Sequence, residues 1–170
     1  MPTVDVTRTY LEMTSPADLA GAGAVPPAGA RVERVRACSP GFFRFLYGEV
    51  GGPYHWRDRL PWSDERIHQY LEGPVDLWVL YEDGAPAGYF ELLRHPDGSV
   101  EIAYFGLMPH AIGRGLGGFL LTRAVQEAWA LGPARVWLHT CTLDHPAALP
   151  NYLSRGFRRV REEVYQTTIP

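Results

Sequence analysis

Cysteine is scarce in this chain: Cys38 and Cys141 are the only two, far apart and without metal-type spacing. That excludes a disulfide scaffold and a cysteine metal knuckle, and reduced thiols are expected. No apolar run approaches the ~20 residues that span a bilayer. The opening MPTVDVTRTYLEM carries an acid early and lacks the apolar core of a secretory signal, so a soluble, cytoplasmic protein without a membrane partner is expected. Basic residues are not in excess: 16 Lys and Arg stand against 19 Asp and Glu, for a formal net charge of -3, which argues against nucleic acid as a partner. Internal repeats and low-complexity tracts are lacking as well. What is present is 170 residues, 46% hydrophobic and 12% aromatic, enough to bury one core.

Local patterns divide the chain. Thr7–Met13 reads as a short strand, and the Ala-, Gly- and Pro-rich stretch to residue 30 as a surface connection. Residues 1–30 are therefore expected to form an N-terminal extension to a domain over 31–170. Arg31–Arg36 alternates as a strand. Ser39-Pro40 caps a helical run that lasts to Gly51-Gly52, an aromatic and charged loop runs to Trp62, and Ser63 caps a second, short helix. Val75–Tyr81, Ala87–Arg94 and Ser99–Leu107 read as strands. Glu82-Asp-Gly-Ala and His95-Pro-Asp-Gly join them as hairpin turns, giving an antiparallel meander. A helix follows until Gly132-Pro133, then a strand at Arg135–Thr142, a helix at His145–Arg155, and one or two strands to Ile169.

Gly106 to Gly118 puts five glycines into thirteen residues at the entrance of a helix. Close helix packing would account for some of them, but four within six residues point to a bound anion. A nucleoside triphosphate would need Gly-Lys followed by Ser or Thr, which is missing. Gly113-Arg-Gly-Leu-Gly-Gly118 fits the dinucleotide pattern, yet that pattern should open a βαβ unit with an acid at the end of the next strand, and here it follows a meander, with Asp144 as the only late candidate for that acid. The pyrophosphate of coenzyme A remains: unpaired amides at a helix N-terminus bind phosphate.

The run Leu107-Met-Pro-His-Ala-Ile-Gly-Arg-Gly-Leu-Gly-Gly-Phe-Leu-Leu121 resembles the acetyl-CoA signature of the GCN5-related N-acetyltransferase (GNAT) superfamily, a strand ending V-x-P followed by Q/R-x-x-G-x-G/A and a helix. A second segment, Asp144-His-Pro-Ala-Ala-Leu-Pro-Asn-Tyr-Leu-Ser-Arg-Gly-Phe157, is similar to the family's N-x-x-A-x-x-L-Y-x-x-x-G-F. The resemblance covers residue 31 to the end. It implies an α/β layered fold: a central mixed, largely antiparallel sheet of about seven strands, flanked by helices and splayed to admit acetyl-CoA. It also implies acetyl transfer to an amine, with acetyl-CoA as co-substrate; His139 and His145 share a corner with Asp144 without a recognised ligand pattern, so no metal is expected. Three departures stand out. Ile112 occupies the place of Gln or Arg, with His110 as substitute if the register shifts; His145 replaces a common Asn; and Pro150 falls inside the expected last helix, which it should kink or delay.

The resemblance carries site residues with it. Leu107, Met108, Ile112, Gly113, Arg114, Gly115, Leu116, Gly117, Gly118 and His145 match coenzyme-binding positions, Glu101 the general base of histone-modifying members, and Tyr152 the general acid. An ammonium of pKa ~10.4 needs such a base, and a phenol of pKa ~10 can protonate a thiolate. Strand alternation puts Ala103 and Phe105 on the face of Glu101, although a solvated outer-face glutamate and a plain core tyrosine are the competing readings. Glu91 is a second carboxylate that could serve as base. The oxyanion donor is expected near Leu107, exposed by a bulge at Gly106. Tyr54, His55, Trp56 and Arg57, with Trp62 and Arg59, would shape the acceptor pocket, or else anchor their loop to the core. His139 reads as a strand histidine with a local partner. The acceptor stays open, a small-molecule amine being favoured over a peptide N-terminus or a lysine. The alternatives are a non-catalytic acyl-CoA-binding module and, more remotely, a dinucleotide-binding protein; a homodimer is compatible with all of them.

Overall fold

The computed structural model describes residues 1–21 and 25–170; the part of the expected surface connection at 22–24 lies outside the described residues. Among the described residues seven strands form one sheet in the order β2-β3-β4-β5-β6-β1-β7. They are β1 (Thr3–Met13), β2 (Ala30–Val35), β3 (Val75–Glu82), β4 (Ala85–Arg94), β5 (Val100–Leu107), β6 (Val136–Cys141) and β7 (Arg158–Thr168). All neighbours pair antiparallel except β5 and β6. The sheet is mixed and largely antiparallel, as the motifs imply.

The meander follows from its turns. Asp83 and Gly84 both take positive φ, as a two-residue hairpin between β3 and β4 demands. At the next turn Gly98 is left-handed, and its N–H donates to the His95 carbonyl at 3.0 Å.

Helices cover both faces. α1 (Pro40–Gly51) and α2 (Asp64–Glu72) start at Ser39 and Ser63, whose hydroxyls accept from the N–H of Phe42 and Arg66. Phe43, Leu46, Val50 and Ile67 pack on Leu77, Val79 and Tyr89 on one side of the sheet. On the other, α3 (Leu116–Ala130) buries Leu116, Leu120, Leu121, Ala124, Val125 and Ala128 against Leu80, Phe90, Leu92, Val136 and Leu138. α4 (Ala148–Ser154) is shorter than the 145–155 expected. Its Pro150 sits in the first turn, where an N–H would lack an intrahelical acceptor anyway, so the proline delays the helix without breaking it.

β1 departs from the expected extension. It begins at Thr3 and lies inside the sheet, pairing Arg8–Met13 with β6 and Thr3–Glu12 with β7. The segment after it is tied down too, because the Ala20 N–H donates to the Arg155 carbonyl. Among the described residues no helix is long and apolar enough to cross a membrane.

Candidate active site

β5 and β6 pair only at Val100–Val136 and Glu101–Trp137. Beyond these pairs the strands diverge, and Ile102–Leu107 presents a free edge. A cleft of about 950 Å³ opens there, between that edge, the α1–α2 loop, the N-terminus of α3, and the strip formed by β6, β1, β7 and α4.

The bulge expected at Gly106 is at Ala103 instead: Glu91 faces Tyr104 and Leu92 faces Ile102, so Ala103 is the extra residue. An extra residue reverses alternation beyond it. Phe105 therefore does not share the face of Glu101; it turns to the α3 side, where its ring meets that of Tyr152 at 6.0 Å. Tyr104 takes the α1 side and packs edge-on against Trp56 at 4.9 Å.

Glu101 stands where the two strands part and lines the cleft. It is 9% exposed, so the solvated outer-face reading does not describe it. Its Oε1 lies 2.9 Å from His95 Nε2, and its Oε2 lies 3.9 Å from His139 Nε2. Burial lowers the pKa of His139, against a raising effect from Glu101. His139 does have the local partner expected of it, and that partner is Glu101.

Tyr152 is on the opposite wall, its ring between Phe105 and Phe157. Among the described residues its hydroxyl makes no hydrogen bond, while the residue lines the cleft. Burial, and secondarily Asp144, raises its pKa well above the ordinary phenol value. The phenol thus stays protonated at neutral pH, but proton transfer to a thiolate is more uphill than for a free tyrosine.

The coenzyme-binding candidates divide. Leu107, Ile112, Gly113, Gly117, Gly118 and His145 line the cleft. Met108 and Leu116 are buried in the two cores, so they offer backbone only. Gly113 and Gly115 are left-handed, and a side chain at either would meet open space. Conformation, not crowding, requires glycine there. Gly115 caps α3 with no side-chain acceptor, and among the described residues the first amides of the helix have no partner. Arg114 is turned to an ion pair with Glu82. His145 Nδ1 accepts from the Ala147 N–H at 3.0 Å, which puts the proton of the neutral ring on Nε2.

On the acceptor side, Tyr54, His55, Trp56 and Arg57 all line the cleft. Tyr54 reaches across it to make an edge contact with His145 at 6.0 Å, forming a partial roof. Arg59, although mostly buried, lines the cleft, and Glu91 lies behind it. Arg59 Nη1 donates to both Glu91 oxygens at 2.9 and 2.7 Å, and the Tyr70 hydroxyl donates to Oε1 at 2.6 Å. The guanidinium lies against the rings of Tyr104, Tyr70 and Trp62 at 3.9 to 5.0 Å. This pair props the loop, and Glu91 does not reach the cleft, which removes the geometric ground for a base or acceptor contact there.

Arg8, Cys141 and Tyr165 line the cleft without having been singled out from the sequence. Alternation in Val136–Cys141 does align Trp137, His139 and Cys141 on one face. Nothing local shows that this face meets Glu101, or that β1 and β7 continue it. Among the described residues no group of three or more His, Cys, Asp or Glu is placed to hold a metal ion.

A family model described as the acetyltransferase (GNAT) family matches residues 43–157. No curated protein matches the chain. Among solved structures, a GCN5-related N-acetyltransferase from Kribbella flavida superposes with a TM-score of 0.67 at 22% identity, covering 96% of this chain and 58% of that one. A second, from Sphaerobacter thermophilus, gives 0.66 at 17% identity, with 98% and 52% covered. An IAA acetyltransferase from Bacillus cereus gives 0.55 at 23% identity, with 76% and 77% covered. The chain thus spans little more than half the length of the first two.

Proposed function

The chain belongs to the acetyltransferase (GNAT) family, and from that premise we propose that it transfers the acetyl group of acetyl-CoA to a primary amine by direct attack on the thioester. The observation that carries this reading is the parting of β5 from β6 immediately after Glu101. It supplies an unpaired strand edge for the pantetheine arm, with a buried carboxylate at one wall and a protonated phenol at the other.

In this reading the amides that open α3, at Gly115 to Gly118, hold the diphosphate in the positive end of the helix. Gly113 turns the chain toward it. Arg114 joins only by exchanging Glu82 for phosphate. His145 Nε2–H adds a donor near the roof. Glu101 accepts a proton from the acceptor ammonium, the freed nitrogen attacks the carbonyl carbon, and a backbone N–H of the free β5 edge near Leu107 stabilises the oxyanion. The C–S bond then breaks, Tyr152 hydrogen-bonds the departing sulfur and gives it a proton, and the second proton shed by the nitrogen as the amide forms replaces the one that Tyr152 gave up. The roof made by Tyr54 and His145 favours a small amine over a lysine on a folded protein, and Trp56 and Arg57 flank its entrance.

A thiol-release assay with acetyl-CoA tests the proposal against a panel: 2-phenylethylamine, spermidine, free amino acids, a lysine peptide and a peptide with a free N-terminus. The expected result is release with at least one small amine and an acetylated product by mass spectrometry. Acetyl-CoA binding without release for any acceptor would instead support the non-catalytic module. Binding of a nicotinamide nucleotide with CoA silent would overturn the reading altogether.

A further inference from the structure

We infer that His139 is a substrate-binding residue: its Nε2 and the Oε2 of Glu101 together seat the ammonium nitrogen of the acceptor. The inference rests on the reading of the cleft as one that acetylates an amine. The two atoms are 3.9 Å apart, and both residues line the cleft. That separation is too long for a direct hydrogen bond. It fits a nitrogen between them instead, because a donor about 2.9 Å from each makes two hydrogen bonds at close to a right angle, bending each by only about 10–15° from the direction of its N–H. A primary ammonium has three N–H groups, so one stays free once both bonds are made.

The two acceptors are available for different reasons. Glu101 as a carboxylate only accepts, and its Oε1 is taken: His95 Nε2 lies 2.9 Å away and carries the hydrogen between them. Oε2 is left for a ligand. On the other side, His139 Nε2 makes no hydrogen bond among the described residues. Partial burial and Arg8 together outweigh the raising effects of Glu101, Asp144 and Glu163 on its pKa, so the ring is neutral at neutral pH. With its hydrogen on Nδ1, the neutral ring presents a lone pair at Nε2.

The imidazole is held where the seat needs it. His139 stands directly opposite Tyr10 across β6 and β1, and the two rings meet at 5.5 Å. Tyr10 is fixed in turn, since its hydroxyl donates to Glu163 at 2.9 Å. The His139 side chain is nevertheless 36% exposed, so a ligand in the cleft can reach it. Without it, Oε2 of Glu101 would hold the ammonium alone.

The test compares the parent, H139L and H139Q with acetyl-CoA and the fastest amine of the panel. H139L deletes one hydrogen bond to a charged group, so the KM of the amine should rise about 10-fold or more. The acetyl-CoA Kd from calorimetry should not change, which also shows that the variant is folded. H139Q offers an amide oxygen as acceptor and should recover part of the loss. An amine KM in H139L equal to that of the parent overturns the seat, as does a fall in kcat at unchanged amine KM, which would place His139 in proton transfer. Should the parent release thiol with no amine, acetyl transfer fails as the reading, and the seat is then decided by binding. In nitrogen NMR of histidine-labelled protein saturated with CoA, the His139 signals are those missing from H139Q, and its Nε2 should shift as 2-phenylethylamine or spermidine is added. No shift with any amine of the panel overturns the seat.

Discussion

Tyr152 shows how one side chain's surroundings limit its chemistry. Burial keeps its proton in place at neutral pH and makes it a poorer acid than a free phenol. Donation of a hydrogen bond to the sulfur, completed as the C–S bond breaks, is the contribution such a group can make. Tyr152→Phe keeps the ring between Phe105 and Phe157 and deletes only that donor. We expect kcat to fall about 100-fold, with the acetyl-CoA Kd from calorimetry unchanged. Equal turnover would remove Tyr152 from the reaction. The motif spacing was enough to single out this tyrosine; that its hydroxyl makes no hydrogen bond among the described residues emerges only once Phe105 and α4 are packed together.

At the scale of elements, two local devices hold the cleft open. The α1–α2 loop hangs on Arg59, 7% exposed, which pairs with Glu91 and lies among aromatic rings. Arg59→Ala leaves a buried carboxylate without its cation, and breaking one side of such a pair costs about 3–5 kcal/mol. Urea denaturation should show that loss, and replacing Glu91 by Leu in the same chain should recover most of it. A loss below about 1 kcal/mol would place the pair among solvated surface bridges. The second device is the left-handed Gly115 ahead of α3. Gly115→Ala forces a Cβ into that conformation at a cost of about 1–2 kcal/mol, although the Cβ itself would touch nothing. We expect weaker acetyl-CoA binding as the first turn of α3 shifts; unchanged affinity by calorimetry would mean that the amides of this turn do not hold the coenzyme.

For the whole molecule, β1 is the closing piece of the sheet. Deleting residues 1–13 would strip β6 of a neighbour along Val136–Cys141 and separate β7 from the rest. The expected outcome is loss of the cooperative thermal transition by circular dichroism; a truncated chain that still melts cooperatively and binds acetyl-CoA would restore the expected extension. Tyrosine burial sets a second global property. Burial raises the pKa values of Tyr47, Tyr70, Tyr89, Tyr104 and Tyr152, that of Tyr104 to about 12. Between the unfolded value near ~10 and the raised folded values, the native state holds more protons than the unfolded state, so stability falls as pH rises. Their contribution is fully present below pH ~10 and is lost above it. Melting temperature should drop steeply over that range, with tyrosinate absorbance appearing together with unfolding. Tyrosinate absorbance from all nine tyrosines in a still-folded protein would contradict this.

What the sequence by itself determined is what depends on neighbours along the chain. Ser39 and Ser63 cap helices with their own side chains, Asp83-Gly84 and Gly98 turn the meander, and the spacing of Leu116, Leu120 and Ala124 marks the buried face of α3. The glycines before that helix and the interval to Tyr152 were legible for the same reason. What only the tertiary structure decided depends on residues far apart in the chain. Insertion of β1 between β6 and β7 leaves no local trace, because a half-buried strand alternates in the same way at an edge or in the interior of a sheet. The bulge at Ala103 is equally hidden: it exists only relative to β4, yet it sends Phe105 to Tyr152 and Tyr104 to Trp56. The grip of His95 on Glu101 depends on how a hairpin turn closes over its own strand, and the withdrawal of Glu91 from the cleft on an arginine more than thirty positions earlier. Pairing partners of this kind are chosen by the free energy of the packed whole, to which each local pattern contributes only a face.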